Sequence, residues 1–121
     1  MPLVLIVEDD VNINQMLQEI FSLEGFGVEA AFDGEEALAK VRAKLPSAIL
    51  LDIGLPKKTG WEVIEVLKGD PKTRGIPVVL HSALNQQEDI ERGLLLGAAK
   101  YLTKPCDPLV VVATIKEVVG P

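Results

Sequence analysis

The chain has 121 residues, a length that fits one domain, and we expect residues 1–121 to form a single α/β unit. Hydrophobic residues account for 48% of the sequence and aromatic residues for only 4%, which predicts an aliphatic core suited to a sheet covered on both faces. The net charge of −6 disfavours nucleic acid and anionic membranes as direct partners, because phosphate groups are bound mainly by Lys and Arg.

The cysteine content and the absence of targeting segments indicate the compartment. The single cysteine, Cys106, cannot form an internal disulfide. The first residues lack the basic region of a signal peptide, and no run approaches the ~20 apolar residues of a membrane span. These features favour a soluble cytoplasmic protein.

Short apolar runs alternate with segments of helical period, a pattern typical of βα units around a parallel sheet. In chain order we predict strand 3–7, helix 11–23, strand 28–31, helix 34–44, strand 48–51, a helix from 59 or 60 to 67, strand 76–80, helix 86–96, strand 99–102 and helix 108–119. Right-handed crossovers with helices on both faces then give a doubly wound fold. The expected fold is an open, five-stranded parallel sheet covered by helices on both faces.

Capping residues support the predicted helix boundaries. Asp33, with Glu36 three residues later, is typical of a helix start, and Asn85 can cap the fourth helix. Gly25 and Gly97 follow the first and fourth helices, where glycine commonly ends a helix.

Four of the predicted strands lead into residues that can handle a phosphoryl group. These are Glu8, Asp9 and Asp10 after the first strand, Asp52 after the third, Ser82 after the fourth and Lys104 after the fifth. Because the carboxyl ends of parallel strands share one edge of the sheet, where ligands bind in such folds, we expect these residues to lie together.

The acidic residues at this edge predict a metal site. Up to four carboxylates would repel each other, and all-oxygen ligands of this kind select a hard cation such as Mg²⁺. Residues 8–10 taken alone are explained more simply as a solvated turn that caps the first helix through Asp10. Asp52 is harder to explain in that way, because it follows a buried strand and burial of an unpaired charge is costly.

A carboxylate beside Mg²⁺ and a lysine can attack phosphorus and form an acyl phosphate. Phosphoryl transfer requires alignment and neutralisation of the phosphoryl oxygens, which the metal, Lys104 and the Ser82 hydroxyl can supply. Asp52, Lys104 and Ser82 are therefore the candidate catalytic residues.

Over essentially its full length the chain resembles the receiver domains of bacterial two-component response regulators, including chemotaxis regulators. The resemblance rests on residues 4–10 (VLIVEDD), 51–56 (LDIGLP) with Gly60, 77–83 (PVVLHSA) and 101–105 (YLTKP). It implies a flavodoxin-like (βα)5 fold with strand order 2-1-3-4-5. It also implies a phosphorelay role, in which Asp52 accepts a phosphoryl group from a sensor histidine kinase or a histidine phosphotransfer protein. It also implies chemistry limited to weak autophosphorylation and autodephosphorylation, so the chain is not expected to be an enzyme.

The resemblance further implies the roles of individual residues. Glu8, Asp9, Asp52 and the backbone carbonyl of Gly54 would hold Mg²⁺, and Ser82 and Lys104 would contact the phosphoryl group. Ser82 and Tyr101 would form the switch, with Tyr101 turning inward as the hydroxyl moves. The Lys104-Pro105 peptide bond is expected to be cis.

The same resemblance implies how the signal would leave the domain. The output surface would comprise the fourth helix, the fifth strand and the fifth helix, and would bind a downstream effector or a fused output domain. It also allows a homodimer, although no motif specifies one. His81 and Cys106 occupy positions where relatives commonly carry apolar residues, and Gly54 and Leu84 offer no polar side chain to an attacking water.

Three alternatives stay open at this stage. A pseudo-receiver would use the same fold for binding without phosphotransfer. A dehalogenase-like phosphatase would need a second acid where Gly54 stands. A flavodoxin-like nucleotide or flavin carrier would need a Gly or Ser/Thr phosphate-binding turn after the first strand, where the chain has Glu8 to Asp10.

Overall fold

The computed structural model describes residues 1–120, which form ten alternating strands and helices. The strands are β1 (Leu3–Val7), β2 (Gly27–Ala31), β3 (Ala48–Leu51), β4 (Val78–Ser82) and β5 (Lys100–Thr103). The helices are α1 (Val11–Leu23), α2 (Gly34–Lys44), α3 (Gly60–Gly69), α4 (Gln87–Leu95) and α5 (Pro108–Val119). None of these helices has the length and apolar character needed to cross a membrane.

The strands form one parallel sheet in the order β2-β1-β3-β4-β5, which confirms the predicted fold class and strand order. From β1 the chain passes outward to β2 and then returns to β3 on the other side of β1. The winding therefore reverses between β1 and β3. A crevice opens at such a reversal, beyond the carboxyl ends of the two strands.

Alternate residues of each strand face opposite sides of the sheet, so the core has two layers. In β1, Leu5 and Val7 pack with α2 and α3, whereas Val4 and Ile6 pack with α1 and α5. All four side chains are at most 1% exposed. Burial of an aliphatic side chain stabilises the fold by roughly 1.5–3 kcal/mol, so these layers fix the position of the sheet's carboxyl edge.

Strand β4 begins and ends two residues later than the sequence predicted. Pro77 has no N–H to donate, and the Ile76 amide instead donates to the Thr73 carbonyl in a turn. At the other end, β5 pairs with β4 as far as His81 and Ser82. Ser82 is therefore the last residue of the strand instead of the loop residue that the sequence indicated.

The predicted cap of α4 was also wrong. The N-cap residue is Gln86, one position after Asn85. The Asp89 carboxylate accepts a hydrogen bond from the Gln86 amide at 3.2 Å, because an acid in the first turn can reach back to the free N–H groups there. The remaining boundaries lie within two residues of the predicted ones.

Helix α4 is held against the sheet at one buried residue, Gly93. A Cβ atom there would lie 2.6 Å from Cδ1 of Leu80 and 2.9 Å from Cδ2 of Tyr101. The helix backbone therefore packs directly on these two side chains. Leu94 and Leu95, which follow Gly93, are 48% and 88% exposed.

We predict that Gly93→Ala lowers the free energy of unfolding by about 1–3 kcal/mol, because the added methyl group overpacks the contact with Leu80 and Tyr101. Urea unfolding followed by circular dichroism measures the change. Gly69→Ala is the matched control, since Gly69 is also helical and a Cβ there meets nothing within 4 Å. Equal effects of the two substitutions would contradict the prediction.

Candidate functional site

The first wall of the site is the segment that follows β1. Glu8 is 4% exposed, whereas Asp9 and Asp10 lie on the surface. The Asp10 carboxylate caps α1 by accepting hydrogen bonds from the amides of Asn12 and Ile13 at 3.0 and 3.1 Å. The capping interpretation is therefore correct for Asp10. Glu8 turns inward, and its Oε2 accepts a hydrogen bond from the Asp10 amide at 3.1 Å.

The second wall is the end of β3, where Asp52 is 9% exposed. Its Oδ1 accepts a hydrogen bond from the Ile53 amide at 2.7 Å and a longer one from the Gly54 amide at 3.4 Å. Its Oδ2 lies 3.0 Å from Nζ of Lys104. The two carboxylate oxygens therefore have different environments, one formed by backbone amides and the other by an ammonium group.

Lys104 joins the two walls, because its Nζ also lies 2.5 Å from Oε1 of Glu8. Burial alone would lower the pKa of Lys104, but hydrogen bonds and charges from Glu8 and Asp52 offset burial and raise that pKa. Burial raises the pKa of Glu8, and the Lys104 ammonium opposes this effect in part. Lys104 therefore stays a cation at neutral pH, and its charge stabilises the two buried carboxylates.

Three carboxylates converge in a way that suits a metal ion. Oxygen atoms of Glu8, Asp9 and Asp52 all lie within 4.8 Å of one another. Such an all-oxygen set matches the hard divalent cations, and Mg²⁺ usually keeps waters and binds few carboxylates. Asp10 does not belong to this group. The Gly54 carbonyl as a further ligand stays a prediction.

Ser82 and Tyr101 are linked through the loop that follows β4. The Leu84 amide donates to Oγ of Ser82 at 3.2 Å, and the Tyr101 hydroxyl donates to the Leu84 carbonyl at 2.6 Å. Ser82 is 2% exposed and Tyr101 is half-buried. Burial raises the pKa of the Tyr101 phenol, so it remains a hydrogen-bond donor at neutral pH. Ser82 and Tyr101, which the resemblance assigned to a switch, therefore both form hydrogen bonds with the backbone of Leu84.

Gly54, two residues after Asp52, lies beside open space. A Cβ atom at Gly54 would meet nothing within 4 Å. Gly60 differs, because a Cβ there would lie 2.6 Å from Cα of Ile53 and would also clash with the Asp52 carbonyl. The start of α3 therefore packs directly on the backbone of the Asp52 segment.

The Lys104-Pro105 peptide bond is cis, as the resemblance implied.

Asn14 positions the site and was not identified from the sequence. It is fully buried, and its Nδ2 donates to the carbonyls of Glu8 at 2.9 Å, Ala31 at 3.2 Å and Ile6 at 3.3 Å. The side chain therefore ties α1 to the ends of β1 and β2 beside Glu8. A polar residue between Ile13 and Leu17, on the apolar face of the helix, was the available signal.

His81 is buried beside the site without a role in it. Its Nε2 has no hydrogen-bond partner among residues 1–120. Burial, together with the nearby Lys104 charge, lowers the pKa of the imidazole to about 4. His81 is therefore neutral at physiological pH.

The lowered pKa of His81 predicts a sensitivity to acid. Between its ordinary pKa of 6.5 and about 4, the unfolded chain binds a proton that the folded chain excludes, so stability falls as the pH falls. The parent loses unfolding free energy when the pH falls from about 7 to about 4.5. We predict that His81→Leu makes this loss smaller by roughly 2 kcal/mol. Urea unfolding at the two pH values measures this difference.

His81→Gln is the control for side-chain polarity, since it also lacks a titrating group and should flatten the profile in the same way. Parallel pH profiles for the parent and both variants would refute the assignment of this sensitivity to His81.

Comparisons with known proteins agree with this geometry. The sequence family model for the response regulator receiver domain matches residues 4–116. Response regulator PleD of Caulobacter vibrioides is 41% identical over 113 residues, which are 93% of this chain and 25% of PleD. The phosphate regulon transcriptional regulatory protein PhoB of Escherichia coli is 40% identical over 115 residues, which are 95% of this chain and 50% of PhoB.

A solved structure gives the same result. The chemotaxis response regulator CheY4 of Vibrio cholerae matches with a TM-score of 0.91 at 30% identity, and the match covers 98% of each chain. The chain spans about a quarter of PleD and half of PhoB, so it corresponds to one part of those relatives. The chain belongs to the response regulator receiver domain family, whose members are phosphoacceptor signalling domains.

Proposed function

We propose that this chain is a phosphorylation-driven switch in which Asp52 accepts a phosphoryl group from a phosphohistidine of a sensor kinase or a histidine phosphotransfer protein. The observation that carries the proposal is the position of the Lys104 ammonium, 2.5 Å from Glu8 and 3.0 Å from Asp52, beside three converging carboxylates. This arrangement supplies a nucleophile, a cation for the incoming group and a set of metal ligands in one place.

In the proposed transfer, a carboxylate oxygen of Asp52 forms a bond to phosphorus while the bond from phosphorus to the donor imidazole nitrogen breaks. The product is an acyl phosphate, and the donor leaves as a neutral imidazole once its protonation is restored by solvent. Lys104 and the Ser82 hydroxyl lie at the ends of β5 and β4, where they can contact the phosphoryl oxygens. Mg²⁺ bound by Glu8, Asp9, Asp52 and the Gly54 carbonyl would neutralise charge on those oxygens.

The switch would act by a population shift. Ser82 and Lys104 would contact the phosphoryl group in one arrangement of the domain and not in the other. These contacts favour the first arrangement by the difference in free energy with which the two arrangements bind the phosphoryl group. Ser82 is joined to Tyr101 through Leu84, so a movement of the hydroxyl would change the hydrogen bond that holds the Tyr101 ring. We propose that this change alters the surface formed by α4, β5 and α5.

The partners follow from this function. The upstream partner is a histidine kinase or phosphotransfer protein, and the downstream partner is an effector protein or an output domain joined to this one. We propose that residues 1–121 act as one receiver domain in the cytoplasm, and that dimerisation through the α4, β5 and α5 surface is compatible with this role. The phosphatase alternative is not favoured, because Gly54 provides no carboxylate where a general acid would be needed.

The direct test is phosphorylation by acetyl phosphate, a small phosphoryl donor. We expect intact mass spectrometry to detect an adduct of about 80 Da on the parent chain when Mg²⁺ is present. The adduct should be absent without Mg²⁺ and absent from Asp52→Asn, which removes the nucleophile with little change in shape. Asp10→Asn should keep the adduct, since Asp10 caps α1 and lies outside the converging carboxylates.

A folded parent without an adduct would contradict the proposed function and would support the pseudo-receiver. An adduct of equal yield on Asp52→Asn would place the phosphoacceptor elsewhere in the chain.

Metal binding is tested separately by isothermal titration calorimetry with Mg²⁺. We predict that Asp9→Asn weakens the affinity on the order of tenfold, because one of three converging carboxylates is lost. Asp10→Asn should change the affinity by no more than about twofold, since asparagine is an equally good N-cap and Asp10 is not a proposed ligand. Equal losses in the two variants would indicate diffuse attraction to an acidic surface.

A further inference from the structure

Helix α4 is connected to α3 by a contact between Arg92 and Trp61. The guanidinium carbon of Arg92 lies 4.3 Å from the centroid of the indole ring, which is the geometry of a cation–π interaction. Trp61 is 8% exposed, whereas Arg92 lies on the surface. The immediate neighbour of Arg92 is Gly93, the one buried residue of α4.

Trp61 is itself fixed relative to the phosphoacceptor. It follows Gly60, which leaves no space between α3 and the backbone of Asp52 and Ile53. The Gly60 amide also donates to the Ile53 carbonyl at 2.8 Å. The first turn of α3 therefore cannot move independently of the Asp52 segment. Through the Trp61 ring, the position of Arg92 depends on that segment as well.

A second route reaches α4 from the other side of the site. It runs from Ser82 through Leu84 to Tyr101, whose ring contacts the backbone of α4 at Gly93. The two routes thus end at adjacent residues of one helix. Because the Tyr101 ring lies against Gly93, a change in its position would act on α4 there, while Trp61 stays with the Asp52 segment. A displacement of α4 away from α3 would separate Arg92 from Trp61.

We propose that Arg92 is a positioning residue that opposes the shift of α4 through its stack on Trp61 and thereby lowers the affinity of the acceptor site for a phosphoryl group. This inference rests on the proposed function and adds to it a second connection between the acceptor and α4. A stack that is made in only one arrangement biases the equilibrium toward that arrangement by its own free energy. Exposed cation–π contacts correspond to a change in equilibrium of about two- to fivefold.

The test measures the affinity of the full chain for beryllofluoride, a tetrahedral mimic of a phosphoryl group, by calorimetry in the presence of Mg²⁺. We expect Arg92→Met to bind beryllofluoride about two- to fivefold more tightly than the parent, because methionine keeps an unbranched apolar stem but has no charge to stack on Trp61. Arg92→Lys, which keeps the cation, should bind within about 1.5-fold of the parent. Arg74→Met controls for the loss of one positive charge from an exposed position away from an aromatic ring.

A double substitution isolates the stack from other effects of Arg92. Trp61→Phe keeps a smaller ring, and its effect on affinity should be reduced when Arg92 is already Met. Urea unfolding without beryllofluoride identifies a purely structural role of Arg92. In that case Arg92→Met would lower the unfolding midpoint and leave the affinity for beryllofluoride unchanged.

Each outcome is decisive. Tighter binding by Arg92→Met, with parental binding by Arg92→Lys and Arg74→Met, supports the proposal. Unchanged or weaker binding by Arg92→Met overturns it while leaving the proposed function intact, provided that the parent binds beryllofluoride and forms the acetyl phosphate adduct. A folded parent that does neither overturns both.

Discussion

The Lys104 ammonium between Glu8 and Asp52 is the interaction on which the arrangement of the site depends. These two carboxylates are almost fully buried at the ends of neighbouring strands, and without a cation their desolvation and mutual repulsion would oppose folding. Lys104 lies 52 residues beyond Asp52 in the chain. It reaches the site because β5 pairs with β4 and because its own amide donates to the Ser82 carbonyl at 2.8 Å. Strand order thus creates a charge balance that no local segment contains.

The charges at this edge also explain why a divalent ion would assist the proposed phosphoryl transfer. The formal charges of three carboxylates and one ammonium sum to −2, and an incoming phosphoryl group brings further negative charge. One lysine cannot compensate for this excess, and buried ion pairs of this kind contribute little net stability in any case. The cluster is better understood as a preorganised site, in which the cost of holding like charges together would be recovered on binding of the proposed metal and phosphoryl group.

The strand order was implied by the resemblance to receiver domains. The elements and the residues at the carboxyl edge could be predicted from the sequence itself, because they follow from apolar periodicity and from the common direction of parallel strands. The residues that position the site could not. Whether Glu8 or Asp10 turns inward depends on backbone geometry after β1, and the role of Asn14 depends on carbonyls brought together from β1 and β2. Arg92 and Trp61 lie 31 positions apart in the sequence, on different helices, and neither belongs to a motif. Ser82 was placed outside β4 because the strand's length is set by its pairing with β5.

The five helices are packed unequally against the sheet, so they differ in how easily they can be displaced. Helices α1, α2, α3 and α5 each bury several side chains in one of the two core layers, whereas α4 buries only Gly93. Displacing a helix costs free energy in proportion to the apolar area and the contacts that it loses. Displacing α4 therefore costs less free energy than displacing α3 or α5. Because α4 also carries the exposed Leu94 and Leu95, the element that moves most easily is one that presents apolar surface to a partner.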